Sequence, residues 1–77
     1  MSTRPGGPAL VLDCLGWKCP RPIIELARRI GEIEVGDVVE VVADDPAAGP
    51  DLAAWCRMRQ QELVAAAAPN FRIRRLR

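Results

Sequence analysis

The sequence lacks histidine altogether and holds only three aromatic residues, Trp17, Trp55 and Phe71. The first absence removes the usual general base of nucleophilic catalysis, and the second means that the core must be aliphatic. The net charge is only +1, so no direct nucleic-acid binding is expected. No apolar run approaches the length that spans a bilayer, and the first eight residues have no apolar core of a secretory signal. We therefore expect a cytoplasmic protein without a membrane partner.

The three cysteines are Cys14, Cys19 and Cys56. An odd number, in a chain without a recognisable signal, argues against a disulfide scaffold. Their spacing contains no C-x-x-C pair, and no histidine is present to complete a zinc site, so we expect neither a metal nor another cofactor. Any cysteine chemistry must then use a thiolate that its surroundings stabilise.

Cys19 lies where an extended segment is predicted to turn into a helix. Pro20 and Pro22 follow it, and proline is favoured at the first helical position, so Cys19 is the predicted N-cap residue. The positive end of the helix dipole and the neighbouring Lys18 and Arg21 would all favour the thiolate. The two prolines remove backbone donors, which makes this helix start a poor phosphate site. We interpret Cys19 as a reactive nucleophile.

The other two cysteines are interpreted differently. Cys56 follows Trp55 on an apolar helix face and is predicted to be buried and inert. Cys14 lies five residues before Cys19 on the same loop. It could act as a resolving thiol by forming a disulfide with Cys19, or it could simply fill space.

Hydrophobic patterning predicts a flexible tail, residues 1–8, and a single domain, residues 9–77. The first helix carries a buried stripe predicted at Ile23, Leu26, Ala27, Ile30 and Ile33. Strands are predicted at 9–13, 38–43, 63–67 and 71–76, and helices at 20–33 and 50–60. The alanine run before Pro69 favours a helix by propensity, but the alternation after it favours a hairpin. The order βαβαββ predicts an α/β two-layer sandwich with a four-stranded mixed sheet and two helices on one face.

Four segments, taken in order, resemble a known family. Residues 12–22 read L-D-C-L-G-W-K-C-P-R-P, similar to the signature L-D-x-x-G-x-x-C-P-x-P. The further segments are Val35-Gly36-Asp37, then Asp44-Asp45-Pro46 followed by Asp51 and Trp55-Cys56, then Glu62-Leu63-Val64 with the ending Phe71-Arg72-Ile73-Arg74. From residue 12 to 75 the chain resembles the TusA/SirA-type family of small sulfur-carrier proteins.

The resemblance implies the same βαβαββ fold and a sulfurtransferase activity in which Cys19 carries sulfane sulfur as a persulfide. It implies a cysteine desulfurase or another sulfurtransferase as donor, and a downstream sulfur-relay protein as acceptor. In the family the sulfur goes to tRNA thiolation, molybdenum-cofactor enzymes or sulfur oxidation. The chain departs from the family's usual residues at Trp17, at Arg28 and at Gln60-Gln61.

Sulfur transfer between persulfides is attack by one thiolate with departure of another, and it needs no metal or cofactor. Around Cys19, Lys18, Arg21 and Arg28 are ordinary surface charges that could also stabilise the anion and attract an acidic partner. Asp44 and Asp45 are interpreted as a turn that ends a strand.

Two other functions stay open. The first is a thiol redox or regulatory module with a reversible Cys14–Cys19 disulfide. The second is a non-catalytic interaction domain that binds a partner or RNA through its basic face, where Arg72, Arg74 and Arg75 form a row.

Overall fold

Four strands and two helices follow one another in the predicted order βαβαββ. The computed structural model describes residues 7–77, so most of the predicted tail, residues 1–6, lies outside the described residues. The elements are β1 (Leu10–Asp13), α1 (Arg21–Arg29) with a 3₁₀ turn at Ile30–Glu32, β2 (Val38–Val42), α2 (Ala48–Arg59), β3 (Glu62–Ala67) and β4 (Asn70–Arg74). The predicted α/β sandwich is confirmed, including the strand at the alanine run.

The sheet is mixed, with strand order β1-β2-β4-β3. β1 and β2 are parallel neighbours, and the chain passes between them through α1. The other two pairings, β2 with β4 and β4 with β3, are antiparallel. Because β1 and β2 run in the same direction, their carboxyl ends lie at the same edge of the sheet, and the loops that follow them meet there.

An apolar core lies between the sheet and the helices. Val39 and Val41 of β2 pair with Ile73 and Phe71 of β4, and all four side chains are buried. Leu26 of α1 and Leu52 of α2 are completely buried against them. Full burial of one leucine is worth roughly 1.5–3 kcal/mol. These β-branched and leucine side chains therefore hold both helices to one face of the sheet.

The outer face of the sheet carries paired charges. Glu40 of β2 accepts hydrogen bonds from Arg72 at 3.0 Å and from Asn70 at 2.9 Å. Arg74 lies 3.4 Å from Glu62 on the next strand, and Arg75 donates to the carbonyl of Ile33 at 2.5 Å. The basic row of the last strand thus has oxygen partners within the chain, which weakens the case for it as a partner-binding surface.

The helix boundaries differ from the predicted ones. The predicted stripe of the first helix is wrong at Ala27, which is exposed, while Pro22 is buried one turn before Leu26. The stripe runs at i,i+4 from Pro22 to Leu26, so Ala27 turns outward. The second helix begins at Ala48 with Ala47 as N-cap, and Pro50 is its third residue rather than its first.

Candidate active site around Cys19

The loop that carries Cys19, residues 14–20, follows β1 and is called the Cys19 loop below. The chain leaves β2 beside it, through Ala43, Asp44 and Asp45. The backbone N–H of Cys14 donates to the carbonyl of Val42 at 2.8 Å, which continues the parallel pairing one step beyond β1. The parallel strands thus bring two segments together that are about thirty residues apart in the sequence.

Two carboxylates from the second segment hold the Cys19 loop. Asp44 accepts the backbone N–H of Gly16 at 3.0 Å. Asp45 accepts the N–H of Cys19 at 3.2 Å with one oxygen and the N–H of Ala47 at 2.8 Å with the other. These bonds lower the pKa of Asp45, with the bond from Ala47 as the larger cause. The interpretation of Asp44 and Asp45 as a turn was therefore incomplete, because they also fix the backbone at the cysteine.

Gly16 supplies the bend that brings the loop to these carboxylates. Its φ is +80°, in the left-handed region that favours glycine. The backbone N–H of the following residue, Trp17, donates to the carbonyl of Cys14 at 3.1 Å and closes the turn. The glycine of the signature is thus explained by backbone conformation.

Cys19 is not the N-cap of α1, contrary to the prediction. The helix begins at Arg21 and its N-cap is Pro20, without a side-chain capping bond. The N–H of Arg21 donates to the carbonyl of Lys18 at 2.9 Å, so the chain makes one tight turn before the helix begins. Cys19 therefore lies one position before the cap, with its N–H bound by Asp45 and its side chain half-buried.

The predicted lowering of the Cys19 pKa is wrong. Burial, a hydrogen bond from the thiol to Asp51 and the negative charges of Asp51 and Asp45 raise the pKa of Cys19 to about 11. Asp51 lies in the first turn of α2, where a carboxylate suits the helix dipole. Sequence proximity favoured the basic neighbours, but the charges that act on the sulfur are those of two carboxylates from a distant segment. The resting thiol is therefore protonated at neutral pH.

The basic residues predicted to surround the thiolate have other partners. The Arg21 guanidinium lies over the ring of Trp17, 3.9 Å from its centroid. Arg28 forms a salt bridge of 2.9 Å with Glu25. Lys18 is exposed, and its charge contributes to the lowered pKa of Asp45. None of these three residues contributes to the shift of the Cys19 pKa.

Cys14 and Cys56 are buried, with 0% and 3% of their surface exposed, and all three thiols are free. Burial raises the pKa of both buried thiols, and for Cys14 the carboxylates of Glu25 and Asp13 add to it. The burial predicted for Cys56 is confirmed. Cys14 is a core residue, so it has no access to solvent from which to act as a resolving thiol.

Two grooves flank Cys19. The loop groove, about 260 Å³, has a mixed polar and apolar lining formed by Gly16, Trp17, Lys18, Asp44, Asp45 and Pro46. The interhelix groove, about 300 Å³, is mainly apolar and is lined by Pro20, Ile23, Asp51, Ala54, Trp55 and Met58. The two prolines of the signature differ in burial. Pro20 is exposed at the interhelix groove, whereas Pro22 is buried.

Residues 7–77 contain neither a cluster of metal ligands nor a membrane-spanning helix. No group of three or more potential ligands is close enough there to hold a metal ion. Within the same residues, no helix is long and apolar enough to cross a membrane.

Residues 10–75 match the protein family described as Sulfurtransferase TusA. A similar protein from Archaeoglobus fulgidus is named "Putative sulfur carrier protein"; it is 42% identical over 53 residues, which cover 69% of each chain. The chain belongs to the sulfurtransferase TusA family, as its sequence motifs predicted. The family and this relative both support a role in carrying sulfur.

Proposed function

We propose that this protein carries sulfane sulfur as a persulfide on Cys19 and passes it from a donor protein to an acceptor protein. The observation that carries the proposal is that the three thiols differ in their exposure to solvent. Cys19 is half-buried beside two grooves, whereas Cys14 and Cys56 are buried in the core. Membership of the TusA family supports the same assignment.

The chemistry requires two exchanges of the same kind. Cys19 attacks the terminal sulfur of a donor persulfide, and the donor leaves as a thiolate. The acceptor thiolate then attacks the terminal sulfur of the Cys19 persulfide, and Cys19 leaves in turn. The protein is a sulfurtransferase in this sense, although each turnover needs both partners. Its donor is a cysteine desulfurase or another sulfurtransferase, and its acceptor is a downstream relay protein.

The interhelix groove is the proposed docking surface for these partners. It adjoins the cysteine at Pro20, and Met58 at its edge is 75% exposed. An apolar surface beside the sulfur would exclude water from the transfer and hold a partner's loop against it. Trp17 and Arg21, stacked on the other side of the cysteine, and the exposed Lys18 offer a cationic rim to an acidic partner.

The first test is sulfur loading in vitro. We expect the purified protein, incubated with a cysteine desulfurase and cysteine, to gain the mass of one sulfur atom in intact-mass spectrometry. The variant Cys19→Ser should gain none. The matched control is Cys14→Ala, which removes a thiol of the core and should load normally. An unchanged mass of the wild-type protein with several different donors would refute the proposal.

A second measurement identifies the destination of the sulfur. The loaded protein is mixed with candidate acceptors from the three processes, namely tRNA thiolation, molybdenum-cofactor synthesis and sulfur oxidation. We expect the sulfur mass to move to the relay protein of one process much faster than to the others. Equal transfer to all three acceptors, at the rate seen with a small thiol, would argue against a dedicated place in any of them.

The redox alternative is disfavoured by the burial of Cys14. A Cys14–Cys19 disulfide would require Cys14 to leave a core in which it is completely buried. Titration of free thiols before and after mild oxidation separates the two functions. Joint loss of the Cys14 and Cys19 thiols, without sulfur loading by any donor, would support the redox module. The cytoplasmic location stays a prediction.

A further inference from the structure

Three carboxylates lie near Cys19, and two of them are already engaged. Asp44 binds the backbone N–H of Gly16, and Asp45 binds the N–H groups of Cys19 and Ala47 with its two oxygens. Asp45 is a poor proton acceptor, because its backbone hydrogen bonds lower its pKa and protonation would break them. Asp44 and Asp45 therefore serve the backbone of the loop.

Asp51 is in a different position. It lies in the first turn of α2, across the interhelix groove from Pro20, and accepts a hydrogen bond from the Cys19 thiol. Within the described part of the chain, no backbone N–H and no arginine or lysine engages its carboxylate. Its side chain is half-buried at the groove, where the sulfur of a docked partner would enter.

We propose that Asp51 is the proton-transfer residue of Cys19: its carboxylate takes the thiol proton when sulfur is loaded and returns it when sulfur is released. The proposal rests on the persulfide function proposed above. It assigns a catalytic role to a residue of α2, because Asp51 lines the interhelix groove together with Pro20 and accepts the hydrogen bond of the Cys19 thiol.

In the loading step, the Cys19 sulfur attacks the terminal sulfur of a donor persulfide, R–S–S–H. A bond forms between the two sulfurs, and the S–S bond of the donor breaks. The electron pair of that bond stays with the donor, which leaves as R–S⁻. The thiol proton moves to Asp51, so the products are the Cys19 persulfide, neutral Asp51 and the donor thiolate. Atoms and charge balance, and the sulfane sulfur keeps its oxidation state.

In the release step, the acceptor thiolate attacks the terminal sulfur of the Cys19 persulfide. The bond between that sulfur and Cys19 breaks, and the electron pair stays on Cys19. Asp51 delivers a proton, which it exchanges with solvent between the two steps, to the Cys19 sulfur as it leaves. The protein then has a thiol and a carboxylate again, as in its resting state, and no external acid or oxidant is consumed.

The surroundings of the sulfur explain why such a group is needed. With a pKa of about 11, only about one Cys19 in ten thousand is a thiolate at pH 7. The charged groups that act on the sulfur are Asp51 and Asp45, both negative. Arg21 is stacked on Trp17, and the charge of Lys18 acts on Asp45. No histidine is present in the sequence to serve as base, so Asp51 is the group placed to accept the proton.

The test compares two reactions of Cys19 in wild type and in Asp51→Asn. The first reaction is alkylation by iodoacetamide, which reports the thiolate fraction. We expect it to accelerate several-fold at pH 8 in the variant, because the variant loses a negative charge beside the sulfur. The second is sulfur transfer from a loaded desulfurase, followed by mass. We expect it to slow by roughly a hundredfold or more, the usual contribution of general acid–base catalysis.

Three variants accompany this test. Asp51→Glu keeps a carboxyl group and should restore part of the transfer rate, whereas Asp51→Ala should behave like Asp51→Asn and gives a second reading should one variant fold poorly. Glu34→Gln, which removes an exposed carboxylate away from the cysteine, should change neither reaction. A residue with a merely structural role would slow both reactions or neither.

The outcomes separate the two proposals. Wild-type transfer by Asp51→Asn would overturn the role of Asp51 and leave the persulfide function intact. Slower alkylation together with slower transfer would also overturn it, since this would indicate a damaged loop. Absence of sulfur loading in the wild type would refute the persulfide function itself. Opposite changes in the two rates, with partial rescue by Asp51→Glu, would support the proposal.

Discussion

The core and the Cys19 loop are held by different kinds of contact, although they adjoin. The core consists of aliphatic side chains such as Leu26 and Leu52, which have no exposed surface. The Cys19 loop is held by the carboxylates of Asp44 and Asp45, which bind backbone N–H groups. Apolar burial is insensitive to pH near neutrality, whereas contacts to carboxylates and thiols depend on protonation. The difference places the pH-sensitive part of the molecule at its reactive end.

The largest effect is expected in the core. Leu52→Ala should destabilise the protein by about 2–5 kcal/mol, because it leaves a cavity in a fully buried position. Urea denaturation measures this change. The matched control is Ile24→Ala on α1, whose side chain is 60% exposed and whose loss should change stability by less than about 0.5 kcal/mol. Equal effects of the two variants would contradict the assignment of the core.

The next effect is the pH dependence of Cys19 alkylation. The thiolate is the nucleophile, and below a pKa of about 11 its fraction rises tenfold for each pH unit. The rate of iodoacetamide modification at Cys19 should therefore rise about a hundredfold from pH 8 to pH 10. Peptide mapping should show Cys14 and Cys56 modified only after denaturation, because both are buried. A rate that levels off near pH 8 would instead support the lowered pKa of Cys19 that was predicted from the sequence.

A smaller effect is expected when the loop loses Asp45. Asp45→Ala removes the acceptor of the Cys19 N–H, so exchange of that amide with deuterium should become several-fold faster. The folded state lowers the pKa of Asp45. Its contribution to stability is therefore present above its ordinary pKa and is lost as pH falls through the lowered value. As the pH falls, the Cys19 loop should loosen before the core unfolds. Loosening of the loop and unfolding of the core at the same pH would contradict the difference between the two regions.

The smallest effect is expected at the stacked pair beside the site. Arg21→Ala removes the guanidinium from the ring of Trp17, and exposed pairs of this kind contribute about 0.5–1 kcal/mol. We expect a change of this size in urea denaturation and a red shift of tryptophan fluorescence as the ring gains water. Arg21→Lys keeps the charge but not the planar stacking, so its stability and fluorescence should lie between those of the wild type and of Arg21→Ala. A loss as large as that of Leu52→Ala would mean that the pair belongs to the core.

Local patterns predicted the order of the elements and singled out Cys19 among the three cysteines, but they did not predict the electrostatics of the site. The β-branched run around Val39 and Val41 and the signature around Cys19 are contiguous, so the sequence alone revealed them. The pKa of Cys19 depends on Asp45 and Asp51, which lie more than twenty residues further on. The N-cap prediction failed by one position because Pro20 itself took that place. Contacts made through the sheet cannot be inferred from spacing along the chain.

The parallel pairing of β1 with β2 has a consequence for how the chain tolerates changes in length. The register places Asp13 beside Val42, so the Cys19 loop and the two carboxylates leave the sheet at the same level. One residue inserted into β2 would turn Asp44 and Asp45 to the opposite sides of the chain, and one inserted into β1 would displace the Cys19 loop from them. The β3–β4 turn meets the same end of β2, where the carbonyl of Pro69 accepts the backbone N–H of Ala43 at 2.8 Å. We therefore expect the lengths of β1 and β2 to be fixed relative to each other.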